Sequence, residues 1–190
     1  MSKKIMFNDK FGLTQAVLDG RKTMTRRISE DQIRNSIFCK SGYESIHGYE
    51  IKPKYKVGEV VAIAQSYESV YNEKGLETMD MLVSWLKNHK GWQNKLFVAA
   101  GYMIHHIRIT DIKVERLQEI SDEDCLKEGI IHAYTNNDGI KIYHTPHTKR
   151  GYLSTDVAQE AFAFLIDKVS GKGTWERNPF VWVYEFKLLD

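Results

Sequence analysis

The sequence has little of what usually announces a function. It holds two cysteines, Cys39 and Cys125, too few for a disulfide framework. They point to a reducing compartment, or to no dependence on oxidation. No stretch approaches the ~20 apolar residues that a membrane-spanning helix needs, so no membrane partner is expected. Met1-Ser2-Lys3-Lys4-Ile5-Met6 carries too short an apolar run for a signal peptide, and the expected location is the cytoplasm. Repeats, low-complexity tracts and Pro/Ser-rich linkers are also missing. Charge of one sign is scarce: the net charge is +2. The chain is no polycation, so a nucleic-acid role has to come from local clustering of basic residues.

What is there suits one domain. A length of 190 residues, with 42% hydrophobic and 27% charged residues, is enough to bury a core. Leu13, Ala16 and Val17 fall at helical spacing, with Asn8 or Asp9 as a cap and Gly20 at the end. Residues 22–27 read as extended and residues 29–54 as a long loop or insertion. Val60, Val61 and Ile63 begin a strand that is apolar on both faces. Leu76, Met79, Leu82, Val83, Trp85 and Leu86 predict a helix, and Leu96 to Ala100 a short strand.

Ile104 to Arg116 is the clearest strand. Ile107 and Ile109 share a face, while Ile112 and Val114 are off that register by one. A bulge near Thr110-Asp111 restores a single buried face. Ser121 and Asp124 frame the start of a short helix ending at Gly129. A hairpin is expected around Asn137-Asp138-Gly139. Thr155 or Asp156 caps a helix carrying Val157, Ala161, Phe164, Leu165 and Val169. The last strand alternates Phe180, Trp182, Tyr184 and Phe186 with Val181, Val183, Glu185 and Lys187, giving one aromatic face. The fold class is α+β, a small mixed barrel with peripheral helices.

The most informative stretch is Gly20-Arg21-Lys22-Thr23-Met24-Thr25-Arg26-Arg27. A lysine beside a hydroxyl acts as base for a nucleophile if burial lowers its pKa. A polar edge strand accounts for the same residues without chemistry. In a regular strand, Lys22 and Thr25 point to opposite faces, so their convergence requires a bend. Arg21, Arg26 and Arg27 suit phosphate or carboxylate, because guanidinium offers paired donors. Lys52, Lys54 and Lys56 with Tyr55 form a second basic cluster of the kind that holds single strands, or simply an exposed loop. Glu128, just before Gly129, opposes its own helix dipole, a local misfit that functional acids show.

Other patterns are weaker. His105-His106 point to opposite faces of a strand, and His144, His147, His132 and Cys125 lack regular zinc spacing, so no metal is expected. Gly171-Lys172-Gly173-Thr174 lacks the upstream glycine of a phosphate loop and follows a helix instead of opening one. No cofactor is called for.

The order of pieces resembles the ASCH domain family. The resemblance rests on the Gly20–Arg26 motif, the turn Tyr55-Lys56-Val57-Gly58-Glu59, the segment from Ile109-Thr110-Asp111 to Glu128-Gly129, and the closing Val181-Trp182-Val183-Tyr184-Glu185-Phe186. It covers residue 5 to the C-terminus, as a single domain over 1–190 with insertions near 29–54, 72–100 and 131–152. Asn178-Pro179 before the last strand is similar to longer members found in phages and prophages. The resemblance implies a PUA-like β-barrel that binds RNA or a nucleotide, with Arg21, Thr23, Arg26 and Arg27 at the ligand. It also implies an alternative, because some small bacterial members are amidohydrolases that deacetylate acetylcytidine. Their catalytic residues fall on Lys22, Thr25 and Glu128, and the substrate would then be a modified nucleoside. A third possibility is a non-catalytic phage interaction protein. Ala64-Gln65-Ser66-Tyr67 departs from the Arg-Glu-Thr-Trp usual in prophage members.

Overall fold

A computed structural model describes residues 3–28, 36–39, 42–45, 50–74, 80–146 and 151–189. In chain order its elements are β1 (Lys4–Ile5), α1 (Leu13–Leu18), β2 (Met24–Ile28), β3 (Ser36–Cys39), β4 (Gly42–Ser45), β5 (Glu50–Ile51), β6 (Val60–Ile63), α2 (Tyr67–Lys74), α3 (Asp80–Lys87), β7 (His106–Arg116), α4 (Asp122–Lys127), β8 (Ile131–Thr135), β9 (Lys141–His144), β10 (Ser154–Thr155), α5 (Ala158–Ser170), α6 (Thr174–Arg177) and β11 (Phe180–Leu189). Four short 3-10 turns join them.

The centre is a five-stranded mixed sheet in the order β1-β6-β7-β11-β2. Its spine is the long antiparallel pair of β7 and β11, running from Phe180 opposite Arg116 to Leu189 opposite His106. Among the described residues the sheet does not close on itself, and β1 and β2 are its edges. The architecture is therefore mixed α+β, with an open sheet where a barrel was expected. Two three-stranded antiparallel sheets, β10-β9-β8 and β3-β4-β5, lie outside it. The second falls in the segment expected to be a loop.

The expected bulge is present. Glu185 pairs with Asp111 and Phe186 with Ile109, so Thr110 is the extra residue. Ile107 and Ile109 are fully buried, and Ile112 packs on the same core beyond the bulge. β6 is buried on both faces, as its apolar run predicted: Val61 and Ile63 join the main core, and Ala62 joins a smaller one with Val98 and Met103. β11 also buries both faces, with Val181 and Val183 on one and Tyr184 and Phe186 on the other. Its aromatic face is thus not the only one in the core.

Two of the local expectations need correction. Leu96 to Ala100 is not a strand. It holds the 3-10 turns Lys95–Phe97 and Ala100–Tyr102, the first capped by the Asn94 side chain accepting from Leu96 N at 3.0 Å; periodicity alone cannot type so short a run. α5 points Ala158, Ala161, Phe162, Leu165 and Ile166 inward, while Val157 and Phe164 are exposed. Apolar residues surround this helix, so the buried stripe was misplaced by about one position. The helix expected from Leu76 to Leu86 is present as α3 over Asp80–Lys87, with Leu76 and Met79 outside the described residues, and α2 before it was not expected. His147 also lies outside the described residues.

The glycine-rich turn after α5 is occupied by the protein itself. The Asp167 carboxylate accepts from Gly173 N at 2.9 Å and Trp175 N at 2.8 Å. These backbone bonds, led by that of Trp175, hold the Asp167 pKa below its ordinary value of 3.8. The stability it contributes is present above pH 3.8 and lost as pH falls through the lower folded value. We expect Asp167→Ala to cost ~1–2 kcal/mol in urea unfolding at neutral pH, with the gap to the parent closing in acid. An unchanged midpoint would sink this assignment.

Candidate functional site

Two helix ends deliver the key side chains. α1 ends at Asp19, and Gly20 turns the chain at φ 72°. Lys22 N then bonds back to Ala16 O at 2.8 Å, and Thr23 N to Lys127 O at 2.9 Å. Lys22 therefore precedes β2 and is exempt from strand alternation, which supplies the bend that its convergence with Thr25 needs.

α4 is capped at its start by Ser121, whose hydroxyl accepts from Asp124 N at 3.1 Å. Asp124 does not complete the capping box, because its carboxylate goes to Arg26 at 2.9 Å. At the other end Gly129, φ 105°, donates to Leu126 O, and Ile130 donates to Cys125 O. That pair of bonds is a Schellman closure. It leaves Glu128 as the last residue of the turn, with its carboxylate aimed inward.

Lys22 and Glu128 meet there. Lys22 Nζ donates to Glu128 Oε2 at 2.6 Å and to the Glu128 carbonyl at 2.7 Å. Both residues are buried, at 3% and 4% exposure. The ammonium satisfies a carbonyl that the helix end leaves orphaned, where a cation is favoured. Burial pulls the Lys22 pKa below 10.5, and the Glu128 carboxylate opposes that pull without cancelling it. The misfit of Glu128 with its dipole is thus answered by a lysine from the opening motif.

Arg26 ties the pair to the sheet. Its Nη1 reaches Glu128 at 3.2 Å, and its Nη2 reaches Glu115 at 2.6 Å and Asp124 at 2.9 Å. Lys113 lies 2.9 Å from Glu115 and 3.4 Å from Asp124. Three cations, Lys22, Arg26 and Lys113, therefore face three carboxylates, Glu115, Asp124 and Glu128. Burial acts to raise the Asp124 pKa, but the Arg26 hydrogen bond and the nearby charges outweigh it and leave the value below 3.8.

These side chains form one wall of a cavity of about 220 Å³. The polar wall is Lys22, Thr25, Arg26, Arg27 and Glu128, and the facing apolar wall includes Leu13, Phe162, Leu165, Ile166 and Val169. Thr25 is 4% exposed. Its hydroxyl makes no hydrogen bond among the described residues and does not bond Lys22 or Glu128 in this conformation. Arg27 Nη2 donates to the Met6 carbonyl at 2.5 Å, and its guanidinium lies 5.7 Å from the Phe7 ring centre.

No family model matches the chain, and no curated protein matches it. An ASCH domain of known structure is similar. That domain, from Lactobacillus crispatus JV V101, shares 12% identity and a TM-score of 0.42, over 98% of this chain and 78% of that one. What the cavity can do follows from its own residues.

The structure gathers Lys22, Thr25, Arg26, Arg27 and Glu128 around one space. It leaves Arg21 outside, exposed and paired with Asp19 at 2.9 Å. Thr23 is half-buried and does not line the cavity either. The donors of Arg26 are committed to protein carboxylates, so among the three arginines Arg27 is the one placed to meet an anion. Cys125 beneath the site is fully buried, and burial pushes its thiol pKa up to about 12, which removes it as a nucleophile. No group of metal-ligating side chains occurs among the described residues, and no helix there is long and apolar enough to cross a membrane. Glu115, Asp124 and the α5 wall were not expected at the site. The partners of Arg26 carried no local signal, whereas Phe162 and Ile166 were legible as the alternative helical stripe.

Proposed function

We propose that this protein is an ASCH-type module that binds RNA or a nucleotide, with one base held in the cavity between β2, α4 and α5. The observation that carries this is the two-sided lining. An apolar wall from α5 faces a polar wall whose formal charges are Lys22, Arg26 and Arg27 against Glu128. A flat heterocycle with a polar edge complements both walls. At about 220 Å³ the space is smaller than the ~300–1,000 Å³ of drug-sized sites, which fits a base better than a whole nucleotide. The cytoplasm is the compartment that suits this ligand and an unpaired Cys125.

The test is a titration of labelled single-stranded RNA and of nucleoside monophosphates at low and high salt. Binding weakened by salt supports the reading, since Arg27 and nearby cations displace counterions. Affinity that does not change with salt, or no binding at all, overturns it.

A second reading is favoured by one observation, the Thr25 hydroxyl in the same cavity wall as a desolvated Lys22. In that reading the site hydrolyses an acylated nucleoside such as acetylcytidine. With the shared proton of the pair passed from Lys22 to Glu128, the neutral Lys22 amine takes the Thr25 proton as the oxygen attacks the amide carbonyl, and the Glu128 carboxyl delivers its proton to the leaving amine. Water then releases the acyl group from Thr25. Contacts between such groups tighten when substrate binds. Thr25→Val separates the two functions, because valine keeps the shape and the strand preference but has no hydroxyl. We expect this variant to retain RNA binding, reduced only by the loss of one hydroxyl from the polar wall. If the protein turns over acetylcytidine, the variant loses all turnover. Residual turnover by Thr25→Val, or none by the parent on a panel of acylated nucleosides, rules the amidohydrolase out.

A further inference from the structure

A second cavity adjoins the first. It measures about 440 Å³ and is lined by Met6, Arg27, Ile28, Lys52, Lys54, Tyr55, Trp182 and Tyr184. Met6, Arg27 and Ile28 belong to both cavities, so the contact of Arg27 with the Met6 carbonyl forms the sill between them. The cationic lining side chains are Arg27, Lys52 and Lys54, and among the described residues no carboxylate lines the space. The network around Arg26, by contrast, mixes three cations with three carboxylates.

The position of these groups is built, not incidental. Lys54 N donates to the Tyr184 hydroxyl at 3.1 Å, and Lys3 Nζ donates to Lys54 O at 2.6 Å. Tyr55 is buried, and its hydroxyl donates to Lys4 O at 2.9 Å. The Tyr55 and Tyr184 rings meet edge to face, with centres 5.2 Å apart. The backbone of 54–55 is thereby pinned over β11, while the side chains of Lys52 and Lys54 stay exposed. Trp182 stands directly opposite Arg27 across the β2–β11 ladder and is half-buried. An indole beside pinned cations is the combination that holds a single strand, by stacking and by charge.

From this we infer that the second cavity is a further RNA subsite: Arg27, Lys52 and Lys54 hold the phosphate next to the base in the first cavity, and Trp182 stacks the neighbouring base. The inference rests on the nucleotide reading of the first cavity and extends it from one base to a dinucleotide step. Arg27 serves both subsites, which fixes the direction in which the strand leaves the first.

The experiment compares a nucleoside, its monophosphate, a dinucleotide and a longer single-stranded RNA on the parent, Lys52→Gln/Lys54→Gln and Trp182→Leu. The two lysines are exposed, and thermal melting checks that the fold is kept in both variants. We expect the double lysine variant to bind the nucleoside like the parent. For the longer RNA its salt slope is shallower by about 0.7 for each phosphate that is no longer neutralised. Trp182→Leu weakens dinucleotide and RNA binding by about tenfold without affecting the nucleoside. If the parent binds none of the four ligands, the nucleotide reading itself falls. If the parent binds RNA and both variants match it in affinity and salt slope, only the second subsite falls. An equal loss for an acidic peptide of matched charge shows general attraction to anions, and that result also overturns the subsite.

Discussion

Arg26→Met destabilises the protein by ~3–5 kcal/mol at neutral pH, the usual cost of removing one partner from a buried ion-pair group. The guanidinium is 1% exposed and holds Glu115, Asp124 and Glu128 at once. Methionine keeps most of the stem beside Met24 and Phe162, so the loss is mainly electrostatic. For a chain of this size the melting temperature falls by roughly 2–4 °C per kcal/mol, a drop of about 10 °C. The pH dependence identifies the cause. In the parent, the folded Asp124 pKa lies below 3.8, so its contribution is present above pH 3.8 and lost as pH falls through the folded value. In the variant Asp124 keeps Lys113 but loses the Arg26 hydrogen bond and charge that lead its lowering, so less of its contribution remains to be lost in acid. The variant therefore gains relative to the parent on acidification, and the two stability curves converge. Parallel curves would mean that packing, not charge, explains the loss.

Lys22→Met is the second large effect. It leaves the Glu128 carboxylate with Arg26 at 3.2 Å and takes away the 2.6 Å partner. It also removes the donor to the Glu128 carbonyl at the end of α4. The expected cost is ~3 kcal/mol. Lys22→Met/Glu128→Gln restores part of it, because a neutral amide is cheaper to bury than an unpaired carboxylate. The sign of the alkaline behaviour also follows. Burial sets the folded Lys22 pKa below 10.5, so between that value and 10.5 the unfolded chain binds more protons and Lys22 makes stability rise with pH. Lys22→Met removes that rise. A double variant as unstable as Lys22→Met alone would show that Glu128 is indifferent to its partner. If the cavity binds a base as proposed, both variants bind it more weakly, since both lack the Lys22 ammonium in the polar wall.

Much of the frame was legible in the chain. The one-residue offset between Ile109 and Ile112 announced the bulge at Thr110, because a buried face tolerates no slip of register. The ends of α1 and α4 were marked by Gly20 and Gly129, both at positive φ. Lys22, Thr25 and Glu128 were singled out on residue type and resemblance, and they do share one cavity. The roles of the arginines were less legible. Three arginines in one short motif look alike on paper, yet Arg21 faces solvent, Arg26 is consumed by carboxylates and Arg27 borders two cavities. Those fates depend on Glu115, Asp124 and Met6, which are distant in sequence. The stripe of α5 was misplaced because apolar residues occupy both candidate faces, and only the tertiary contact with the sheet selects Phe162 and Ile166. Closure of the sheet depends on edge pairing between β1 and β2, which no local pattern encodes.

In the proposed binding mode the space between β2, α4 and α5 holds a base. Backbone amide NMR during titration with a nucleoside monophosphate tests it most directly. The expected shifts concentrate at Lys22–Ile28, at Glu128-Gly129 and along the Phe162–Ser170 face of α5, and saturate together with one affinity. Amides that stay unmoved there at saturating ligand, or shifts confined to another surface, would contradict it.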